Sequence, residues 1–272
     1  MATEREINAL SAAVRNWRHW VGNDMLDHLG VAQPEDRNLG RDLAFRRRLE
    51  TAGQDAVATM LRFFEIEQFA RNGGHWPEPG FKLFVSHVSD ARERMLPLLT
   101  ALSDVGIISF MAHEAIRPAA NWRDVLMEAL RSMDALLSFH SGGFRASEWC
   151  GQEIGFALGR GVPIVPVMDG EIPAGFLSAV QGARWNPAAM DNTIQVVIDA
   201  MLGSERAAQR YGEALARKLK FAGSYGASDF YVEHLAPCGR LSAAAEADVR
   251  LALRLNDQVR GRDNAEALID QG

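Results

Sequence analysis

The sequence predicts a doubly wound α/β domain between about Phe81 and Leu202, with helical regions before and after it. Two observations carry that prediction. Short apolar runs of strand length alternate with segments of helical periodicity, the pattern of a parallel sheet covered on both faces. A Gly/Pro-rich stretch, Asn72-Gly73-Gly74-His75-Trp76-Pro77-Glu78-Pro79-Gly80, separates this alternation from the purely helical pattern before it.

The first region, residues 1–75, reads as helices. Ile7, Leu10, Val14, Trp17 and Val21 recur at helical spacing, Thr3 and Glu6 match a capping box, and Gly30 suits a helix end. Leu49, Ala52, Ala56, Met60 and Phe64 predict one further helix over about Arg41 to Ala70. In the α/β region, residues 81–202, strands are expected at Phe81 to Val85, Ile107 to Met111, Ala135 to Phe139 and Val162 to Val167, with a weak fifth around Ala183 to Trp185. The helices between them are expected at Ala91 to Leu102, Trp122 to Met133, Glu148 to Leu158 and Asp191 to Leu202, with Asp90, Asn121 and Ser147 as N-caps. Pro97 predicts a kink or a late start in the first of these. Residues 204–272 return to helices, one holding Leu215 and Leu219 and another Val249, Ala252 and Leu253, joined by a loop around Gly223 to Ser228.

Composition narrows the function classes. With 272 residues, 47% hydrophobic and 24% charged, the chain can bury a full-sized core. A net charge of −6 argues against broad nucleic-acid binding, which needs concentrated Lys and Arg. No apolar run approaches the roughly eighteen residues of a membrane span. The N-terminus lacks the basic flank and apolar run of a signal peptide, so a cytoplasmic location is expected. Cys150 and Cys238 lie far apart without metal-ligand spacing, so reduced thiols and no metal site are expected. Arg46-Arg47-Arg48 reads as a solvated helix face.

In a parallel α/β sheet, ligands gather beyond the carboxyl ends of the strands. The loops there hold Ser86-His87-Val88-Ser89-Asp90, Ala112-His113-Glu114-Ala115-Ile116-Arg117-Pro118, and Ser141-Gly142-Gly143-Phe144-Arg145-Ala146-Ser147. The last leads into Glu148-Trp149-Cys150-Gly151-Gln152-Glu153, which sets Trp149 and Glu153 on one side of a helix turn. Taken singly, a helical Glu is usually solvated, a Trp is usually core, and a loop histidine such as His87 or His113 is usually a hydrogen-bonding surface group. Ser147 reads as a cap and Cys150 as a buried thiol.

Between residues 81 and 202 the combination of Phe84-Val85-Ser86-His87, Phe110 to Pro118, Trp122, Ser147 to Glu153 and Pro163-Ile164-Val165-Pro166-Val167 resembles the Toll/interleukin-1 receptor (TIR) domain, in particular its bacterial branch. The resemblance implies a flavodoxin-like, five-stranded parallel sheet. It also implies a Thoeris-like antiphage enzyme that cleaves the nicotinamide–ribose bond of NAD+, giving nicotinamide and ADP-ribose or a cyclic isomer. NAD+ would be the substrate, with no cofactor. By resemblance the catalytic carboxylate is Glu153, and substrate contact falls to Trp149, Ser86, His87, Phe84, Glu114 and Phe110. One departure is Ala112, where relatives often have Asp; Glu114 is the nearest acid. The resemblance further implies self-association through TIR domains and a downstream effector that senses the nucleotide product. Two other readings stay open: a non-catalytic TIR scaffold, and another nucleotide-binding or glycosyl-cleaving enzyme on the same kind of sheet.

Overall fold

Strand-length apolar runs pair into a single parallel sheet in the computed structural model, which describes residues 3–4, 6–7, 10–11, 26–27, 29–33, 41–63, 76, 80–111, 122–261 and 263–269. In chain order the elements are α1 (Arg41–Thr51), α2 (Gln54–Phe63), β1 (Phe81–Ser86), α3 (Arg92–Asp104), β2 (Ile107–Phe110), α4 (Trp122–Ser132), β3 (Ala135–His140), α5 (Glu148–Arg160), β4 (Ile164–Met168), β5 (Ala183–Arg184), α6 (Met190–Leu202), α7 (Glu205–Lys220), α8 (Tyr225–Leu235), α9 (Ala243–Leu255) and the single turn α10 (Asp263–Glu266). The strand order β2-β1-β3-β4-β5 makes β1 and β3 the switch point, where the chain leaves toward one edge and returns toward the other.

The described residues divide into two compact units. The sequence separates residues 1–75, 81–202 and 204–272; in the structure, one unit comprises residues 75–218 and 231–245, the other residues 1–74, 219–230 and 246–272, so the C-terminal region is shared between them.

In the sheet unit, side chains alternate between the two faces. Phe84, Phe110, Leu126, Leu130 and Leu136 form one buried cluster on the face that α4 and α5 cover. On the opposite face the Phe81 ring meets Tyr211 of α7 edge-on, with centroids 6.0 Å apart. Helix α5 has defined ends. Ser147 Oγ accepts from Cys150 N at 3.3 Å, capping its start. Left-handed Gly161 (φ 65°) and the bonds Gly161 N to Leu158 O and Val162 N to Ala157 O close its end as a Schellman motif. The Arg160 guanidinium donates to the Leu130 and Met133 carbonyls at 2.8 and 2.7 Å, satisfying groups at the end of α4. Gly182 lets β5 lie against β4, because a Cβ there would collide with the Pro166 carbonyl. Gly182→Ala is expected to cost about 1–3 kcal/mol, read as a lower urea midpoint at unchanged slope.

In the other unit, Ile7, Leu10, Leu26, Leu49, Met60 and Leu255 pack together. Thr3 and Glu6 form the expected capping box, with Thr3 N donating to Glu6 Oε2 at 2.7 Å and Glu6 N to Thr3 Oγ1 at 3.3 Å. Buried Lys220 pairs with Asp248 at 3.0 Å. Asn256 Nδ2 donates to the Lys220 and Ala222 carbonyls at the end of α7, at 3.0 and 3.1 Å.

Several expectations need correction. The helix expected over Arg41 to Ala70 is two helices, interrupted at Ala52 and Gly53, where glycine's poor helix propensity favours a break; residues 64–70 lie outside the described residues. Arg48 is not part of a solvated face: it is buried and donates to Asp27 Oδ1 and the Val31 carbonyl, each at 2.6 Å. Asp90 is not the cap of α3, which begins after a 3-10 turn with Ala91 at the N-cap and no side-chain cap. Pro97 sits inside α3, which begins at Arg92, one residue after its expected start. The segment Gly223 to Ser228, expected as a loop, contains the start of α8. Asn121 and most of the first helical pattern lie outside the described residues.

Candidate functional site

At the switch point the carboxyl ends of β1 and β3 place Ser86 and Ser138 in register on neighbouring strands. Because α5 starts at Ser147, its 3.6-residue period turns Cys150, Glu153 and Ala157 inward over these strands. Glu153 is 8% exposed, and Ser86 Oγ donates to its Oε2 at 2.5 Å. Burial pushes the Glu153 carboxyl up to about 7, against the opposing pull of the Ser86 hydrogen bond. Two residues along β3 from Ser138, His140 Nε2 lies 3.0 Å from Ser138 Oγ, and burial lowers the imidazole's pKa so that the neutral ring is favoured. Burial raises the Cys150 thiol, as expected of an unreactive sulfur.

A carboxyl that titrates near neutrality within the fold has a stability consequence. Below about pH 4.5 it is protonated in the folded and unfolded chains alike. As the pH rises toward 7 the folded chain keeps a proton that the unfolded chain has lost, so stability is lost until the folded carboxyl ionises. The shift corresponds to at most about 3–4 kcal/mol, at roughly 1.4 kcal/mol per unit. Chemical denaturation of Glu153→Gln between pH 4.5 and 8 is expected to show a flatter pH dependence than the parent chain over this window.

The structure brings some of the sequence-predicted residues together and separates others. Ser86 and Glu153 are bonded. His87, next to Ser86 in the chain, is buried, its Nδ1 3.2 Å from the Val85 carbonyl. Trp149 is 54% exposed in the first turn of α5, so it does not share the burial of Glu153. Phe84 and Phe110 belong to the core, fully buried with ring centroids 5.7 Å apart, and offer no surface to a ligand. Glu114, with Ala112 and His113, lies outside the described residues.

Sequence reasoning passed over Ser138, His140 and Glu171. The first two are polar residues two apart inside a strand whose six positions are all buried, a pattern that marks one face of its carboxyl end as polar. Glu171, from the loop after β4, accepts from Gly143 N at 2.7 Å and Arg145 N at 3.0 Å, which pins the loop leading into α5. Those backbone donors hold the Glu171 carboxyl below its usual range. Among the described residues, no cluster of three or more His, Cys, Asp or Glu side chains could hold a metal, and no helix is long and apolar enough to cross a membrane.

A family model described as a TIR domain matches residues 83–199. No curated protein matches the chain. A solved structure, the TIR domain of the Toll-related receptor TRR-2 from Hydra magnipapillata, is 15% identical, with a TM-score of 0.38, over 44% of this chain and 96% of that one. The parallel sheet of order β2-β1-β3-β4-β5 and the family match over its extent together assign residues 83–199 to the TIR domain family.

Proposed function

We propose that the TIR domain cleaves the nicotinamide–ribose bond of NAD+, with Glu153 as the working carboxylate. The observation that carries this reading is a single carboxyl, raised to about 7, held by Ser86 at the switch point of the sheet. Bond cleavage sends the electron pair to the nicotinamide nitrogen, which leaves neutral, and develops positive charge on the ribose C1 and ring oxygen. An ionised Glu153 stabilises that charge. Water then attacks C1 and loses a proton, giving ADP-ribose; attack by a ring nitrogen of the adenine would give a cyclic isomer instead. Trp149, exposed one turn before Glu153, would stack on a ring of the substrate. His87 and Glu114 are proposed as further substrate contacts. Action in bacterial antiphage defence, TIR–TIR self-association, a cytoplasmic location and an effector that senses the product belong to the same proposal.

The first test is nicotinamide release from NAD+ by the purified chain, followed by chromatography, which also separates linear from cyclic product. Ser86→Ala provides a finer test. Because the Ser86 hydrogen bond favours the ionised carboxyl, its loss is expected to move the rising limb of the pH–rate profile to higher pH.

A second reading is a non-catalytic TIR scaffold acting by assembly. It is favoured by the burial of Glu153, whose bond to Ser86 also ties α5 to β1. Absence of nicotinamide release, with Glu153→Gln destabilised, would support this reading over cleavage.

A further inference from the structure

The loop that leads into α5 is held by a carboxylate that the chemistry above does not use. Between the end of β3 and Ser147 the chain turns with Gly143 in the left-handed region (φ 88°), Phe144 N donating to Ser141 O at 3.0 Å and Ala146 N to Gly143 O at 3.2 Å. Phe144 seats the middle of this turn, buried with its ring centroid 4.3 Å from that of His140. On either side of Phe144 the Glu171 carboxylate takes the backbone: one oxygen accepts from Gly143 N at 2.7 Å and the other from Arg145 N at 3.0 Å. Bonds to an ionised acceptor are roughly twice as strong as those between neutral groups.

Glu171 reaches this turn from a fixed base. Its own N–H and that of Asp169 both donate to the His140 carbonyl, at 3.1 and 2.9 Å, and Asp169 pairs with Arg94 of α3 at 2.6 Å. The carboxylate therefore joins the ends of β3 and β4 to the residues just before α5. The Ser147 cap ties the turn to the helix itself, and Arg160 holds the helix at its far end. Glu153 stands two turns into α5, about 9 Å along the axis from Ser147 at roughly 1.5 Å per residue. Its bond with Ser86 Oγ, 2.5 Å long, is lost beyond about 3.5 Å, so a displacement of about 1 Å at the start of α5 is enough to break it.

We propose that Glu171 is a positioning residue for Glu153: its carboxylate fixes the turn from Gly143 to Arg145, which sets where α5 begins and so holds Glu153 against Ser86. Its effect on rate rests on the reading of Glu153 as the working carboxylate; its effect on the surroundings of Glu153 does not. The charged and titratable groups beside Glu171 are Arg145 and His140, whose neutral ring is favoured by burial. The backbone donors keep Glu171 ionised through the range in which Glu153 titrates, so a change at Glu153 reports the position of α5 and not a proton on Glu171.

The test compares the full chain with Glu171→Gln, which keeps the size of the side chain but loses its charge and one of its two acceptor oxygens. Nuclear magnetic resonance follows the side-chain carboxyl carbon of Glu153, labelled in glutamate and identified by its loss in Glu153→Gln, and amide exchange is read at Gly143 and Arg145. Both amides are expected to be protected in the parent chain, and at least one of them to exchange about tenfold faster in Glu171→Gln. The Glu153 titration is expected to fall from about 7 by about one pH unit as water reaches the carboxyl, burial being the larger influence on it. Both signals come from folded molecules, so a loss of stability alone would move neither. Where nicotinamide is released, kcat is expected to drop about tenfold with KM changed less. Absence of release by the parent chain would count against Glu153 as the working carboxylate, while the titration alone decides the role of Glu171. Unprotected Gly143 and Arg145 amides in the parent chain, or a Glu153 titration that fails to fall in Glu171→Gln, would each overturn the proposal.

Discussion

Glu153→Gln is expected to lower nicotinamide release from NAD+ by at least about 100-fold, the usual scale for removing one electrostatic stabiliser of a developing charge. Gln keeps the size and can accept from Ser86 Oγ, so the loss should fall on kcat, with KM changed much less. The parent chain's rate is expected to rise with pH through about 7, because the ionised carboxyl is the working form. At pH 6 only roughly a tenth of the molecules would carry the charge. A profile that falls through the same region would make the protonated carboxyl an acid in the mechanism. A Glu153→Gln enzyme as fast as the parent would remove Glu153 from it.

Phe84→Ala is expected to cost about 3–5 kcal/mol of stability, enough to unfold a domain of ordinary marginal stability. Its ring is fully buried against Phe110, and truncation leaves a cavity that the neighbouring strands cannot close. The resemblance assigns Phe84 to substrate contact, whereas the structure assigns it to the core. Denaturation separates the two: a lower midpoint with normal KM in the surviving folded fraction follows from packing. A raised KM at unchanged stability would instead make Phe84 a contact residue.

Much of the α/β layout can be read from the chain alone, because it depends on local periodicity. The runs at Phe81, Ile107, Ala135 and Ile164 are each short, apolar and separated by helical patterns, and each becomes a parallel strand within a residue or two of its expected ends. Ser147 before Glu148 is a local signal too, and caps α5 as expected. The order β2-β1-β3-β4-β5 and the family match over residues 83–199 agree with the resemblance carried by Ser86, Trp149 and Glu153.

What the tertiary structure decided is which polar groups meet and how deeply they are buried. Glu153 and Trp149 share a helix turn in sequence, yet one is buried and the other largely exposed, because the sheet covers only one side of α5. Arg48 reads as a surface cation until Asp27 and the Val31 carbonyl are brought to it from a distant part of the chain. Ser138 and His140 are single polar letters in an apolar run, and only the pairing of β1 with β3 sets Ser138 beside Ser86. Periodicity is a property of neighbouring residues along the chain; burial, hydrogen-bond partners and the raised pKa of Glu153 arise from residues tens of positions apart, 67 in the case of Ser86 and Glu153.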